Sequence, residues 1–176
     1  MRLFVARHGQ TLWNAQNRVC GRTDLPLTQK GIAQAQALAA AAQDLALDII
    51  ISSPLLRARE MSGIVSKVCG VPVITDDRLI EQDYGIFEGV DRKDAGFLEN
   101  KRQFAYAYPG GESMMQVAHR VYGFLEDVRE QHAGKNVLLV CHGGVCRIIN
   151  TYFENMANEE FFHYSPDNAS VREYTL

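Results

Sequence analysis

Three short stretches of the chain combine residue types able to hold and attack a phosphoryl group: Arg7-His8-Gly9, Ser52 to Arg57, and His142-Gly143-Gly144. A phosphomonoester is a dianion, so breaking it takes cations for its oxygens, a nucleophile on one side of phosphorus and an acid for the leaving oxygen. Arg7 and Arg57 offer planar guanidinium forks matched to phosphate oxygens. Neighbouring arginine charge lowers the pKa of an imidazole, which makes His8 the candidate nucleophile, neutral at ordinary pH. A dianionic ligand acts in the opposite direction and favours the protonated form of His142. Gly9 and Gly143-Gly144 let backbone come close to phosphate, and the amides opening a helix after Gly143 can point at an anion.

Those stretches must be brought together by the elements around them. Residues 2–6 are a short apolar run ending at Arg7, residues 47–51 are β-branched and too short for a helix, and residues 71–74 and 137–141 read as two further strands. Between them lie helical patterns. Thr28 is placed to cap a helix over residues 29–44, Ser53 and Pro54 to open one reaching about residue 68, and residues 112–132 return to helical period through Val117, Val121, Phe124, Leu125 and Val128. Another helix follows His142 to about residue 155, and the tail reads as two short strands, 161–164 and 171–175, joined by a Pro166-Asp167-Asn168 turn. Strand alternating with helix implies an α/β fold, a three-layer α/β/α sandwich with a mostly parallel central sheet. All three chemical stretches then follow the carboxyl ends of strands, the edge where open α/β sheets bind ligands.

Residues 1–176 are the size of one domain, and residues 79–111 form a non-periodic, glycine-containing insert of the kind that serves as a lid or binding loop. A chain this long buries about 70% of its unfolded surface, enough for a core without disulfide or metal. The formal charge of −3 argues against a nucleic-acid partner held by bulk charge, and no apolar run is long enough to span a membrane. The N-terminus lacks a signal-peptide pattern, so a cytoplasmic location is expected. Cys20, Cys69, Cys141 and Cys146 contain no CxxC, which favours reduced thiols. The five histidines show no HExxH spacing, so neither a metal nor another cofactor is expected.

Arg7-His8-Gly9-Gln10-Thr11-Leu12-Trp13-Asn14 followed by Asn17-Arg18-Val19-Cys20-Gly21 closely resembles the N-terminal signature of the histidine phosphatase superfamily, the clan of cofactor-dependent phosphoglycerate mutases and their phosphatase relatives. Matches continue in order through Asp24 to Thr28, Ser52 to Ala58, Leu79-Ile80-Glu81, Tyr84-Gly85, Glu88-Gly89, Pro109 to Ser113 and His142-Gly143-Gly144. The resemblance implies that His8 becomes a phosphohistidine while Arg7, Arg57 and His142 hold the phosphoryl oxygens. It places Asn14, Cys20, Gly21 and Gly143 around the same pocket as substrate-binding positions. Glu81 becomes the proton donor to the leaving oxygen and then the base for water, and Glu88 is expected to be structural. Cys20 stands where mutases commonly carry a hydroxyl residue, and Gln82 where they usually place an arginine for the substrate carboxylate. The second difference favours hydrolysis of a small phosphorylated metabolite over phosphoglycerate isomerisation.

Other readings remain open on the residues alone. Cys141 to Arg147 also fits Cys-x-x-Gly-x-x-Arg, the phosphate loop of cysteine-dependent phosphatases, although that assignment leaves Arg7, His8 and Arg57 idle. A phosphate-binding module without catalysis would keep the same fold, its usual mark being loss of one of the five central residues, all of which are present. The insert carries Arg92, Lys93, Lys101 and Arg102 among Phe97, Phe104, Tyr106 and Tyr108, a mixture that can cover a pocket or merely pack and solvate a loop.

Overall fold

The computed structural model describes residues 1–176. Five strands form one sheet: β1 (Arg2–Arg7), β2 (Ile49–Ser52), β3 (Val73–Thr75), β4 (Asn136–Cys141) and β5 (Val171–Thr175), in the spatial order β3-β2-β4-β1-β5. The first four are parallel, and β5 lies antiparallel against β1. Seven helices accompany them: α1 (Leu12–Ala15), α2 (Gln29–Ala42), α3 (Leu56–Cys69), α4 (Ala95–Lys101), α5 (Met114–Gln131), α6 (Gly143–Phe153) and α7 (Asn158–His163).

Strand periodicity of two divides the core between the sheet's faces. Leu3, Val5, Val137 and Leu139 pack with Val117, Val121 and Phe124 of α5 and with α6, whereas Phe4, Ala6, Leu138 and Val140 pack with α2 and α3. The central strands are apolar on both sides because both sides are covered. This is the three-layer α/β/α arrangement with a mostly parallel sheet. No helix is long and apolar enough to cross a membrane.

Helix starts follow local capping chemistry. The Thr28 hydroxyl accepts from the Gly31 amide, and Ser113 with Gln116 closes a reciprocal capping box at α5. α3 begins later than Ser53-Pro54 implies, because Asp24 reaches across to accept the Leu56 amide at 2.7 Å and fixes the first turn there. The strand expected over 161–164 is instead helical. Glu160 accepts the Ala157 amide at 2.8 Å, and the resulting turn buries Phe161 in the core and Phe162 beneath Lys101 and Arg102. The insert is less irregular than its glycines imply, since α4 and a 3-10 turn at Gly85–Phe87 are organised by a cluster of Val19, Tyr84, Phe97 and Tyr108.

Candidate active site

Sheet register makes the site. Arg7 pairs with Cys141 across β1 and β4, and Ser52 with Val140 across β2 and β4, so the next residues, His8, His142 and Ser53, emerge side by side. The two imidazole centroids lie 5.1 Å apart. Arg57, from the first turn of α3, is fully buried between them, its Nε 3.2 Å from His8 Nε2 and 3.2 Å from His142 Nδ1. His8 Nδ1 lies 2.7 Å from the Gly9 carbonyl, which accepts only a proton, so Nδ1 carries the hydrogen and Nε2 keeps the lone pair. By the same reasoning His142 Nδ1 accepts from Arg57 and Nε2 donates to Ser53 Oγ at 2.7 Å. Burial, reinforced by Arg57, pushes both imidazoles well below the ordinary histidine range.

A cavity of about 90 Å³ opens beside His8. Arg7, Asn14, Cys20, Glu81 and Gly143 contribute to its wall. Arg7 is nearly buried, one terminal nitrogen donates to the Pro166 carbonyl at 2.5 Å, and its Nε has no protein partner. Burial lowers its pKa, and the nearby Arg92 adds to the effect. Asn14 Oδ1 accepts from the Thr11 amide and from Asn168 Nδ2, so its own amide hydrogens remain for the cavity. Burial pushes the Cys20 thiol up, which keeps it a neutral wall group.

Glu81 comes from the loop after the 3-10 turn Asp77–Leu79 and is 4% exposed. Its Oε1 accepts the Gln82 amide at 2.8 Å and its Oε2 the Gly144 amide at 3.0 Å, which ties the carboxylate to the start of α6. Gly144 must lack a side chain for this: a Cβ there would come within 2.6 Å of Glu81 Oε1. Gly9 is needed for a different reason from the one its sequence position implies. A Cβ there would lie 2.6 Å from the Gly31 carbonyl, so the glycine lets the loop press on α2.

Several positions differ in detail from expectation. Arg57 contacts His8 and His142 directly, but neither Arg57 nor His142 is among the residues that line the cavity. Gly21 also lies off the wall. Its amide donates to Glu88, which also accepts from the Arg22 and Thr23 amides and the Thr23 hydroxyl, while the Gly21 and Thr23 carbonyls accept from the terminal nitrogens of Arg57 at 2.6 and 3.0 Å. Glu88 therefore has the structural part expected of it. Cys141 and Cys146 face each other at 3.5 Å in the interior, and burial drives the Cys141 thiol up, the reverse of what a nucleophilic thiolate needs. No group of three His, Cys, Asp or Glu side chains is arranged to hold a metal ion. Arg92, Lys101, Arg147 and Ser165 also line the cavity. Arg147 was legible only as one end of the cysteine-phosphatase pattern, and Asn168 only as a turn residue.

Comparison with known proteins agrees with this geometry. The sequence profile of the histidine phosphatase superfamily (branch 1) matches residues 3–176. The "Probable phosphoglycerate mutase GpmB" of Escherichia coli O1:K1 is 37% identical over 150 residues, which are 81% of this chain and 70% of that protein. Among solved structures, a mycobacterial glucosyl-3-phosphoglycerate phosphatase in complex with VO3 superposes with a TM-score of 0.89 at 27% identity, covering 98% of this chain and 91% of that one. An Escherichia coli K-12 protein for which alpha-ribazole-5'-P phosphatase activity is proposed gives 0.84 at 27% identity, covering 98% and 89%.

Proposed function

The chain belongs to the histidine phosphatase superfamily, and from that premise we propose that it is a metal-independent phosphomonoesterase acting on a small phosphorylated metabolite through a phosphohistidine at His8. The observation that carries this reading is the fixed tautomer of His8: with Nδ1–H committed to the Gly9 carbonyl, the lone pair is on Nε2, in a ring that lines a cavity shared with Arg7 and Glu81. Attack by Nε2 on phosphorus forms the N–P bond as the ester P–O bond breaks. Arg7, through its unpartnered Nε, receives phosphoryl oxygens directly, and Asn14 adds its free amide hydrogens. Arg57 Nε, which donates to the Nε2 lone pair of His8, is released to a phosphoryl oxygen as that lone pair attacks phosphorus, and His142 becomes a donor by taking up a proton at Nδ1, which the dianion favours. Glu81 gives its proton to the departing alkoxide and takes one from the water that cleaves the N–P bond, releasing phosphate and restoring His8.

The test is direct. Wild type mixed with a ³²P-labelled phosphomonoester and quenched in alkali retains label on His8, and His8→Ala neither labels nor turns over p-nitrophenyl phosphate. Turnover by His8→Ala near the wild-type rate would end the proposal. The GpmB relative supports a second reading, transfer of the phosphoryl group back to a phosphoglycerate. Incubation with 3-phosphoglycerate separates the two, since hydrolysis yields inorganic phosphate and isomerisation yields 2-phosphoglycerate.

A further inference from the structure

The main chain of Glu81 is held as closely as its carboxylate. Its carbonyl oxygen accepts from two guanidinium groups, Arg22 Nε from the loop over residues 20–23 and Arg120 Nη2 from α5, each at 3.4 Å. Arg120 also donates through Nη1 to the Arg78 carbonyl, in the 3-10 turn that leads into the Glu81 loop. Both arginines rest on Glu112: Arg22 Nη2 lies 3.0 Å from its Oε2, and Arg120 reaches both carboxylate oxygens, with Nη2 at 3.2 Å and Nε at 3.3 Å. Glu112 is in turn stitched to the residues that follow Glu81. Its carboxylate accepts the Asp83 amide at 3.1 Å, its carbonyl accepts from the Gln82 side chain at 3.1 Å, and its amide donates to the Asp83 carbonyl at 2.9 Å.

A buried carbonyl is satisfied by a single donor, and water can supply it. Two cations braced on a shared carboxylate go further and fix the direction in which the carbonyl points. That direction reaches the acid through peptide geometry. The Glu81 carbonyl and the Gln82 amide belong to one planar trans unit, with C=O and N–H on opposite edges. The arginines hold the oxygen edge, and the N–H edge donates to Glu81 Oε1 at 2.8 Å. Turning the plane would swing this amide off the carboxylate and leave only the Gly144 amide to hold it. Residues 80–84 belong to no helix or strand, so no ladder of main-chain bonds resists such a turn.

We propose that Arg120, joined by Arg22 and braced on Glu112, is a positioning residue for proton transfer: by fixing the peptide between Glu81 and Gln82, it aims the carboxyl group at the leaving oxygen. The inference rests on the acid role of Glu81 and supplies that role with its support. Misplacing a reacting group by about 1 Å costs up to about 10²-fold in rate. Loosening the peptide therefore shows in the step that needs the proton and leaves phosphate binding alone.

Two aryl esters of similar size, phenyl phosphate and p-nitrophenyl phosphate, separate the acid from the rest of the site, because phenol is the poorer leaving group and depends more on protonation. Arg120→Lys keeps the positive charge beside Glu112 but loses the planar fork that spans several acceptors. Its kcat on phenyl phosphate should fall about tenfold, with kcat on p-nitrophenyl phosphate lowered less than about threefold and inhibition by inorganic phosphate within about twofold of wild type. Arg22 is the more exposed of the two arginines, so its replacement spares the fold. Arg22→Met should show the same selectivity, with a loss of about threefold on phenyl phosphate. In a Glu81→Gln background no proton remains to be aimed, and adding either substitution should lower phenyl phosphate turnover by less than about twofold more. Equal losses on the two esters, losses undiminished in the Glu81→Gln background, or no loss in either variant would overturn the positioning role and leave the acid role intact. Equal losses on the two esters in Glu81→Gln alone would overturn the acid role, and the positioning role with it.

Discussion

The Glu81 carboxylate is held by backbone rather than by a cation: two amides, from Gln82 and Gly144, aim it at the cavity. On the proposed mechanism, replacing Glu81 with Gln removes the proton donor while preserving most of the shape. General acid–base catalysis contributes about 10² to 10⁴-fold, so turnover of alkyl phosphates should fall by roughly that factor. p-Nitrophenyl phosphate, whose leaving group departs without much protonation, should lose far less. Equal losses on both substrates would remove the acid role from Glu81. Gly144→Ala probes the same carboxylate from the other side, because its new Cβ would come 2.6 Å from Oε1 and must displace it. We expect the Gly144→Ala profile to resemble Glu81→Gln, with a steep loss on alkyl phosphates and a shallow one on the aryl ester, while phosphate still inhibits competitively. Both histidines, both arginines and Glu81 are legible from the sequence because each follows a strand end or stands in an ordered motif. Asn168 is not, since its contacts with the His8 carbonyl and Asn14 span about 160 residues of chain and leave no local pattern. The convergence of Arg147, Lys101 and Arg92 on one cavity wall is hidden for the same reason.

The loop over residues 20–23 acts as a bracket between the insert and α3. Glu88 gathers three of its amides and the Thr23 hydroxyl, which turns the Gly21 and Thr23 carbonyls toward Arg57, and Arg57 in turn spans the two histidines. A carboxylate accepting several hydrogen bonds in a partly exposed position is worth about 2–3 kcal/mol to the fold. Glu88→Ala should therefore lower stability by about that amount in urea titrations and weaken inhibition by inorganic phosphate at least tenfold, because Arg57 loses its anchors. A variant with normal phosphate affinity would show that Arg57 is positioned without the bracket. Elements were readable where periodicity and capping residues are adjacent in sequence, as at Thr28 and Ser113. They are not legible where a remote group decides: Asp24 sets the start of α3, and burial of Phe161 in the α5–α6 side of the core favours the helix over residues 158–163 despite their β-prone aromatics. The insert reads as irregular because its order comes from an apolar cluster whose members, Val19, Tyr84, Phe97 and Tyr108, are scattered through the sequence.

Folding places two neutral imidazoles in a buried cationic setting, and this gives the whole molecule a characteristic response to acid. In the unfolded chain His8 and His142 take up protons near their ordinary pKa of about 6.5, whereas in the fold burial and Arg57 hold both well below it. Above that pH neither state is protonated at these positions and they cost nothing differential. Below it the unfolded state binds more protons, so stability falls as pH drops, by up to roughly 1.4 kcal/mol per pH unit for each histidine. Carboxylates stabilised by ion pairs, such as Asp76 beside Arg78, act only at lower pH, because their depressed pKa values lie beneath the ordinary carboxylate range. Urea unfolding measured between pH 7.5 and 5 should therefore show stability declining from about pH 6.5 downward, with the slope roughly halved in His8→Asn. A dianion in the cavity reverses the electrostatics around the imidazoles, so saturating vanadate should flatten the decline as well as raise the absolute stability. The free enzyme's kcat/KM should in turn stay level through the pH where an ordinary histidine nucleophile would be lost to protonation. Stability that is flat across this range, or a slope unchanged in His8→Asn, would mean that the ring takes up protons in the fold as readily as in the unfolded chain and is not held as a neutral nucleophile.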